Sequence, residues 1–147
     1  MINIDITCSP SELLNINNNQ IKTIVKAVLK KEGVSRAEIS IVFSNDNLIN
    51  KLKKEFFNTD EYSDVIAFRL NDYSNSNIEG EVYISVERVF ENAKNYNEKK
   101  SKEISRVLIH GVLHLLNYKD KSKKEKNIMT KKENQYLNLV NWESIYA

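Results

Sequence analysis

Apolar positions along this chain follow two periods, and the changes between them mark out its elements. Ile2, Ile4 and Ile6 alternate with polar residues, the period-two pattern of a half-buried strand. From Asn18 to Glu32 the spacing turns helical, with Ile21, Ile24, Val25, Val28 and Leu29 on one face and Gly33 following where a left-handed C-terminal cap belongs. Ile39, Ile41 and Phe43 alternate again, after which Asn45 caps a helix carrying Leu48, Ile49, Leu52 and Phe56. Two strands, DVIAFRL at 64–70 and EVYIS at 81–85, flank the polar stretch NDYSNSNIEG and are expected to pair as a long hairpin.

The last third reads as helical throughout. Ser85 caps a helix bearing Val86, Val89, Phe90 and Ala93, with Glu87 in its favourable first turn. Around Ser101 another helix begins, and Ile104, Val107, Leu108, Gly111, Val112 and Leu115 give it a broad apolar face. Ser122 with Glu125 forms a capping-box pattern that opens a final helix, in which Ile128, Met129, Tyr136, Leu139 and Val140 are expected to face the core. The order is βαβαββααα, which predicts an α+β fold with a small mixed four-stranded sheet packed against helices. No repeat or low-complexity linker interrupts it and Pro10 is the single proline, so residues 1–147 read as one domain.

Composition narrows the setting. Cys8 is the single cysteine, which rules out an internal disulfide and suits a reducing compartment, so the expected location is the cytoplasm. The opening MINIDITCSP has no basic cluster and no apolar run is long enough to cross a bilayer, so neither export nor a membrane partner is expected. The net charge is only +2, but residues 1–85 hold 9 basic against 12 acidic side chains while residues 86–132 hold 13 against 6. That basic segment is either a solvated surface or an RNA-facing one.

The chemistry concentrates in LIHGVLHLLNYKDK. His110 and His114, the chain's two histidines, stand four residues apart on the most apolar helix, so both imidazoles project from one face and can chelate one ion. Asn117 tolerates the left-handed conformation that would turn the chain and return Asp120 toward them, and two histidines with a carboxylate match catalytic zinc ligand sets that keep an open position. In the peptidase pattern H-E-x-x-H the residue after the first histidine is the general base; here it is Gly111, which cannot move a proton. A glycine inside a helix also implies close packing, against the sheet or a ligand. Arg106 lies one turn before His110, and Lys119 and Lys121 flank Asp120, cations that suit a phosphodiester substrate.

These residues resemble the YbeY-type rRNA maturation endoribonucleases, whose hallmark resembles H-G-x-L-H-L-x-G-Y-D-H where this chain reads HGVLHLLNYKD. Upstream, SDVIAF is similar to the family's T-D-V-L-S-F strand and GEVYIS to its G-D-I-x-I-S strand, in the same order. The resemblance implies a single-domain α+β fold, one zinc ion, His110 and His114 as ligands and catalytic residues, and Asp120 in the place of the family's third histidine. Three departures stand out: Asp120 itself, a weaker Lewis-acid partner set than three imidazoles; Asn117 and Lys119 in place of a glycine and an aspartate; and Phe57 where a basic residue is usual. Lys53, Lys54 or Arg69 could supply the missing cation.

The function implied is a metal-dependent, single-strand-specific endoribonuclease acting in 16S rRNA maturation and ribosome quality control. RNA of the small ribosomal subunit would be the partner, with ribosomal or assembly proteins beside it. Two alternatives remain open: an assembly factor whose metal is purely structural, for which Glu125 or Cys8 would be needed as a fourth ligand, and a metallohydrolase for a small molecule.

Overall fold

The computed structural model describes residues 1–8 and 15–146; Pro10 lies outside them. Strands β1 (Ile2–Cys8), β2 (Ala37–Ser44), β3 (Val65–Arg69) and β4 (Ile78–Ser85) form one mixed sheet in the order β1-β2-β4-β3. β1, β2 and β4 run parallel, whereas β3 is antiparallel to β4 and forms an edge of the sheet. Helices α1 (Asn18–Lys31), α2 (Asp46–Phe57), α3 (Val86–Asn95), α4 (Lys100–Leu115) and α5 (Lys123–Leu139) complete the predicted order, followed by a short 3-10 turn at Trp142–Ser144.

The elements start and stop for the expected reasons. Asn45 and Ser85 accept backbone N–H bonds from Leu48 and Arg88, and Ser122 and Glu125 make both bonds of a capping box. Gly33 follows α1 at φ +84°, a conformation that costs glycine little. α4 starts at Lys100 with no side-chain cap, so its stability rests on packing: ten of its sixteen residues are buried.

α4 is the spine of the molecule because it lies against the sheet as well as against α1, α3 and α5. Gly111 is what lets it come so close. A Cβ there would sit 2.6 Å from Val82 Cγ1 and 3.1 Å from Val65 Cγ2, so the close partner is the sheet. Leu115, one turn on, fills the space over Gly80 in the same way, and Arg69 at the end of β3 donates to the Leu115 carbonyl at 2.9 Å. These contacts fix the helix's height and rotation, and with them the direction of His110 and His114. α2 covers part of the other side of the sheet, where Phe56 and Phe57 meet Phe68 of β3.

Two expectations about inward faces need correction. Ile128 and Leu139 are exposed, and the stripe of α5 that faces the core is Met129, Glu133, Tyr136 and Leu137. Met129 and Tyr136 lie on this stripe as expected, with the carboxylate of Glu133 between them. Phe56, one of the apolar residues read on α2, is also exposed.

Candidate metal centre

α4 delivers the two imidazoles side by side. Their Nε2 atoms lie 3.0 Å apart, and Asp120 Oδ2 stands 3.1 Å from the first and 3.3 Å from the second. The loop achieves this because Asn117 adopts φ +73°, turning the chain back after α4. Among the described residues this is the one group of His, Cys, Asp and Glu donors that could hold a metal ion.

The remaining ring nitrogens decide what faces inward. His114 Nδ1 is 2.9 Å from the Tyr118 carbonyl, which can only accept, so Nδ1 carries the hydrogen and Nε2 presents a lone pair. His110 Nδ1 is 2.6 Å from Glu133 Oε2 and donates to it, which directs its Nε2 inward likewise. Two imidazole lone pairs and a carboxylate oxygen thus converge within about one hydrogen-bond length. Such a group repels itself unless a cation lies among it, so the donor set fits a divalent ion with room for a further ligand.

The same field acts on protons. Burial alone would lower the His110 pKa, but the Glu133 hydrogen bond and the charges of Glu133, Asp120 and Asp64 outweigh it and raise it. His114 is lowered, by burial first and then by the positive charge of His110. Asp64 is raised because it is buried, although His110 pulls the other way. Its Oδ2 accepts from Asn92 Nδ2 at 3.2 Å and its carbonyl from Ser85 N at 2.8 Å, so this carboxylate is held in place.

The site opens into a cleft of about 690 Å³ along the β3 edge, lined in part by Ser63, Asp64, Val65, Ile66 and Ala67. Lys53, Lys119 and Lys121 line it too, with Phe57, Tyr73 and Tyr118. The other cations marked in the sequence lie elsewhere. Lys54 faces Asp60 at 3.6 Å on the surface. Arg69 is committed to the fold: besides Leu115 it donates to Asn71 Oδ1 and to the carbonyls of Asp72, Asn75 and Asn77. Arg106 turns inward to Glu133, 3.3 Å away, the carboxylate that also meets His110 Nδ1. Glu125 is spent on its capping box, and Cys8 is on β1 at the opposite edge of the sheet from β3, so neither joins the three donors.

Glu133 and Asp64 are the functional candidates that periodicity passed over. A charged residue in the middle of an apolar helical stripe was the available signal for the first; an acid at the head of an edge strand was a weaker one for the second.

The family model for Endoribonuclease YbeY matches residues 5–141. The chain belongs to the YbeY family. It is 41% identical to Endoribonuclease YbeY of Flavobacterium psychrophilum over 116 residues, 78% of this chain and 81% of the relative. It is 43% identical to that of Chloroherpeton thalassium over 118 residues, 80% and 82% of the two chains. The solution structure of TM1509 from Thermotoga maritima is similar over 94% of this chain and 87% of that one, at 28% identity and a TM-score of 0.63. As a YbeY-family protein the chain is an endoribonuclease, a hydrolase, with one group of described residues that could hold a metal ion.

Proposed function

We propose that this YbeY-family endoribonuclease cuts unpaired RNA at a single zinc ion held by His110, His114 and Asp120, and that it serves the maturation of small-subunit rRNA in the cytoplasm. The observation that carries the zinc reading is the convergence of three acceptor atoms with both Nδ1 atoms engaged outward. Three protein ligands leave a position open, which favours a catalytic over a structural ion. A zinc ion there would supply Lewis-acid chemistry, lowering the pKa of water and polarising a phosphoryl oxygen.

The chain's own residues do the rest. Glu133 and the Tyr118 carbonyl orient the imidazoles, and Arg106 holds Glu133. Asp64, fixed by Asn92 and with its pKa raised by burial, is the cleft carboxylate left over once Asp120 is a ligand, and it is placed to exchange the proton that Gly111 cannot. Lys53, Lys119 and Lys121 line the path of the phosphate backbone.

Elemental analysis of purified wild-type and Asp120→Ala protein, beside cleavage of a single-stranded RNA with and without chelator, tests this. One zinc per chain, lost in the variant, with chelator-sensitive cleavage is the expected result. Zinc retained in Asp120→Ala would remove Asp120 from the ligand set, and cleavage indifferent to chelator would remove the metal from the mechanism.

A further inference from the structure

The cleft exposes more aromatic surface than gripping a metal and a phosphate requires. Phe57, the last residue of α2, lines it with 48% of its surface open to solvent, and Tyr73, 51% exposed, lines it too. Phe56, Tyr62 and Tyr96 are as exposed elsewhere, so what sets Phe57 and Tyr73 apart is that their open faces line the same cleft as the histidines and are available to what binds there.

Both rings are held rather than loose. Phe57 stacks on Phe68 with centroids 5.8 Å apart and planes 27° from parallel, and Phe68 is itself met edge-on by Phe56 at 5.3 Å and Tyr83 at 5.9 Å. α2 stops at Phe57 because Asn58 enters the left-handed region at φ +53°, which sets the ring at the end of the helix. Tyr73 lies under the Arg69 guanidinium, 4.9 Å from Cζ to the ring centroid, and that guanidinium is immobilised by backbone carbonyls on both sides. Lys53 Nζ is 5.5 Å from the Phe57 centroid while it pairs with Glu61 at 3.2 Å, so the ammonium is held beside the ring.

Flat, exposed rings beside spaced lysines match one chemistry. Lysines attract phosphates, rings stack on bases, and an unpaired nucleotide presents both, whereas a duplex keeps its base faces inside its own stack. We propose that Phe57 and Tyr73 are stacking platforms for unpaired bases next to the scissile phosphodiester, with Lys53, Lys119 and Lys121 on the neighbouring phosphates. This rests on the RNA-cleaving reading and adds how the cleft selects single strands: by base stacking at the metal's doorstep.

The test uses zinc-loaded full-length protein and fluorescence anisotropy with three 2′-O-methyl probes: a single-stranded decamer, its duplex, and the decamer made abasic at its centre. Phe57→Leu keeps an apolar contact with Phe68 but removes the aromatic face. It is expected to weaken single-strand binding about tenfold at unchanged melting temperature, with Phe57→Tyr restoring it and Tyr73→Leu losing less. Because no charge is removed, the slope of log affinity against log salt should be the same in all of them. The abasic probe should bind wild type about as weakly as the intact decamer binds Phe57→Leu, and should be indifferent to that substitution. Wild-type affinity in Phe57→Leu, or a duplex bound as tightly as the single strand, overturns the platform. Failure of zinc-loaded wild type to bind any of the probes would instead overturn the RNA-cleaving reading beneath it.

Discussion

The two sides of the metal centre are built on different principles. The inner wall is secondary structure: His110 and His114 ride on α4, Gly111 seats that helix directly on Val82 and Val65, and Glu133 reaches from α5 with Arg106 holding its other oxygen. The outer lip is a loop, residues 117–121, in which Asn117 takes a left-handed conformation and Asp120 leaves more than a third of its side chain exposed. The wall fixes where an ion can sit, while the lip brings up the third candidate donor, Asp120, from a loop. That explains how an aspartate can stand where the hallmark motif has a third histidine while the wall motif HGVLH is kept.

The sharpest way to break this contrast is to remove the wall's buried carboxylate. Glu133→Ala strips the acceptor from His110 Nδ1 and leaves Arg106 without its partner at a place where Glu133 is only 7% exposed. Zinc affinity should fall by about 10–100-fold. Stability should fall by about 3 kcal/mol, the scale of breaking a buried pair from one side. Glu133→Gln, which keeps an oxygen acceptor, should lose less of both. Competition titration with a zinc chelator and urea denaturation measure the two effects; unchanged zinc affinity in Glu133→Ala would show that the wall does not orient its ligand.

A smaller intervention shifts the wall without touching a polar group. Gly111→Ala gains about 1 kcal/mol of helix propensity but places a Cβ 2.6 Å from Val82 Cγ1, on a stiff β-branched side chain. Overpacking of this kind costs about 1–3 kcal/mol, so the net expectation is a loss of about 0 to 2 kcal/mol in urea denaturation. Zinc affinity should drop with it, because α4 must lift away from the sheet that aims its histidines. A stabilised variant would mean the helix has slack there.

Wall and lip also differ in how much of them the sequence made legible. The wall's helix, its glycine and its histidines follow from spacing, since a period of 3.6 and a four-residue offset fix faces and neighbours. The capping residues Asn45, Ser85 and Ser122 were legible because their bonds are local. Arg106, Arg69 and Glu133 were not, because what they face depends on tertiary packing: each long side chain can turn to solvent or inward, and only the position of α5 or of the 70–77 loop decides. The lip lies between these cases. Asn117 announces a turn, yet how far Asp120 returns depends on how Tyr118 is anchored.

That anchor supplies a pH test of the lip. The Tyr118 and Tyr136 hydroxyls and Lys132 Nζ all donate to Glu32, joining the loop to α1 and α5. Burial alone would raise the Glu32 pKa, but these three hydrogen bonds and the Lys132 charge bring it below its ordinary 4.5. A carboxyl lowered in the folded state stabilises the protein above its unfolded pKa and loses that contribution as pH falls through the folded value. Glu32→Gln should therefore be less stable than wild type by about 1 kcal/mol at pH 7, and the gap should close on acidification below about pH 4.5. A gap independent of pH would mean that shape, not charge, holds the lip.

The smallest expected effect lies at the lip's outer edge, and it separates holding the metal from holding the substrate. Lys119 and Lys121 flank Asp120 in sequence and line the cleft, yet neither belongs to the three-donor group. If they meet phosphates, Lys121→Ala should weaken single-strand RNA binding by only a few fold and reduce the slope of log affinity against log salt by a little under one, the signature of one released counterion. Zinc content and melting temperature should stay as in wild type, since an exposed lysine on this loop supports neither the wall nor the tyrosine anchor. Should Lys121→Ala lower zinc content, the lip would be a single unit in which ligand and substrate contacts cannot be varied separately, and the freedom to exchange Asp120 for another ligand would then have to come from the wall.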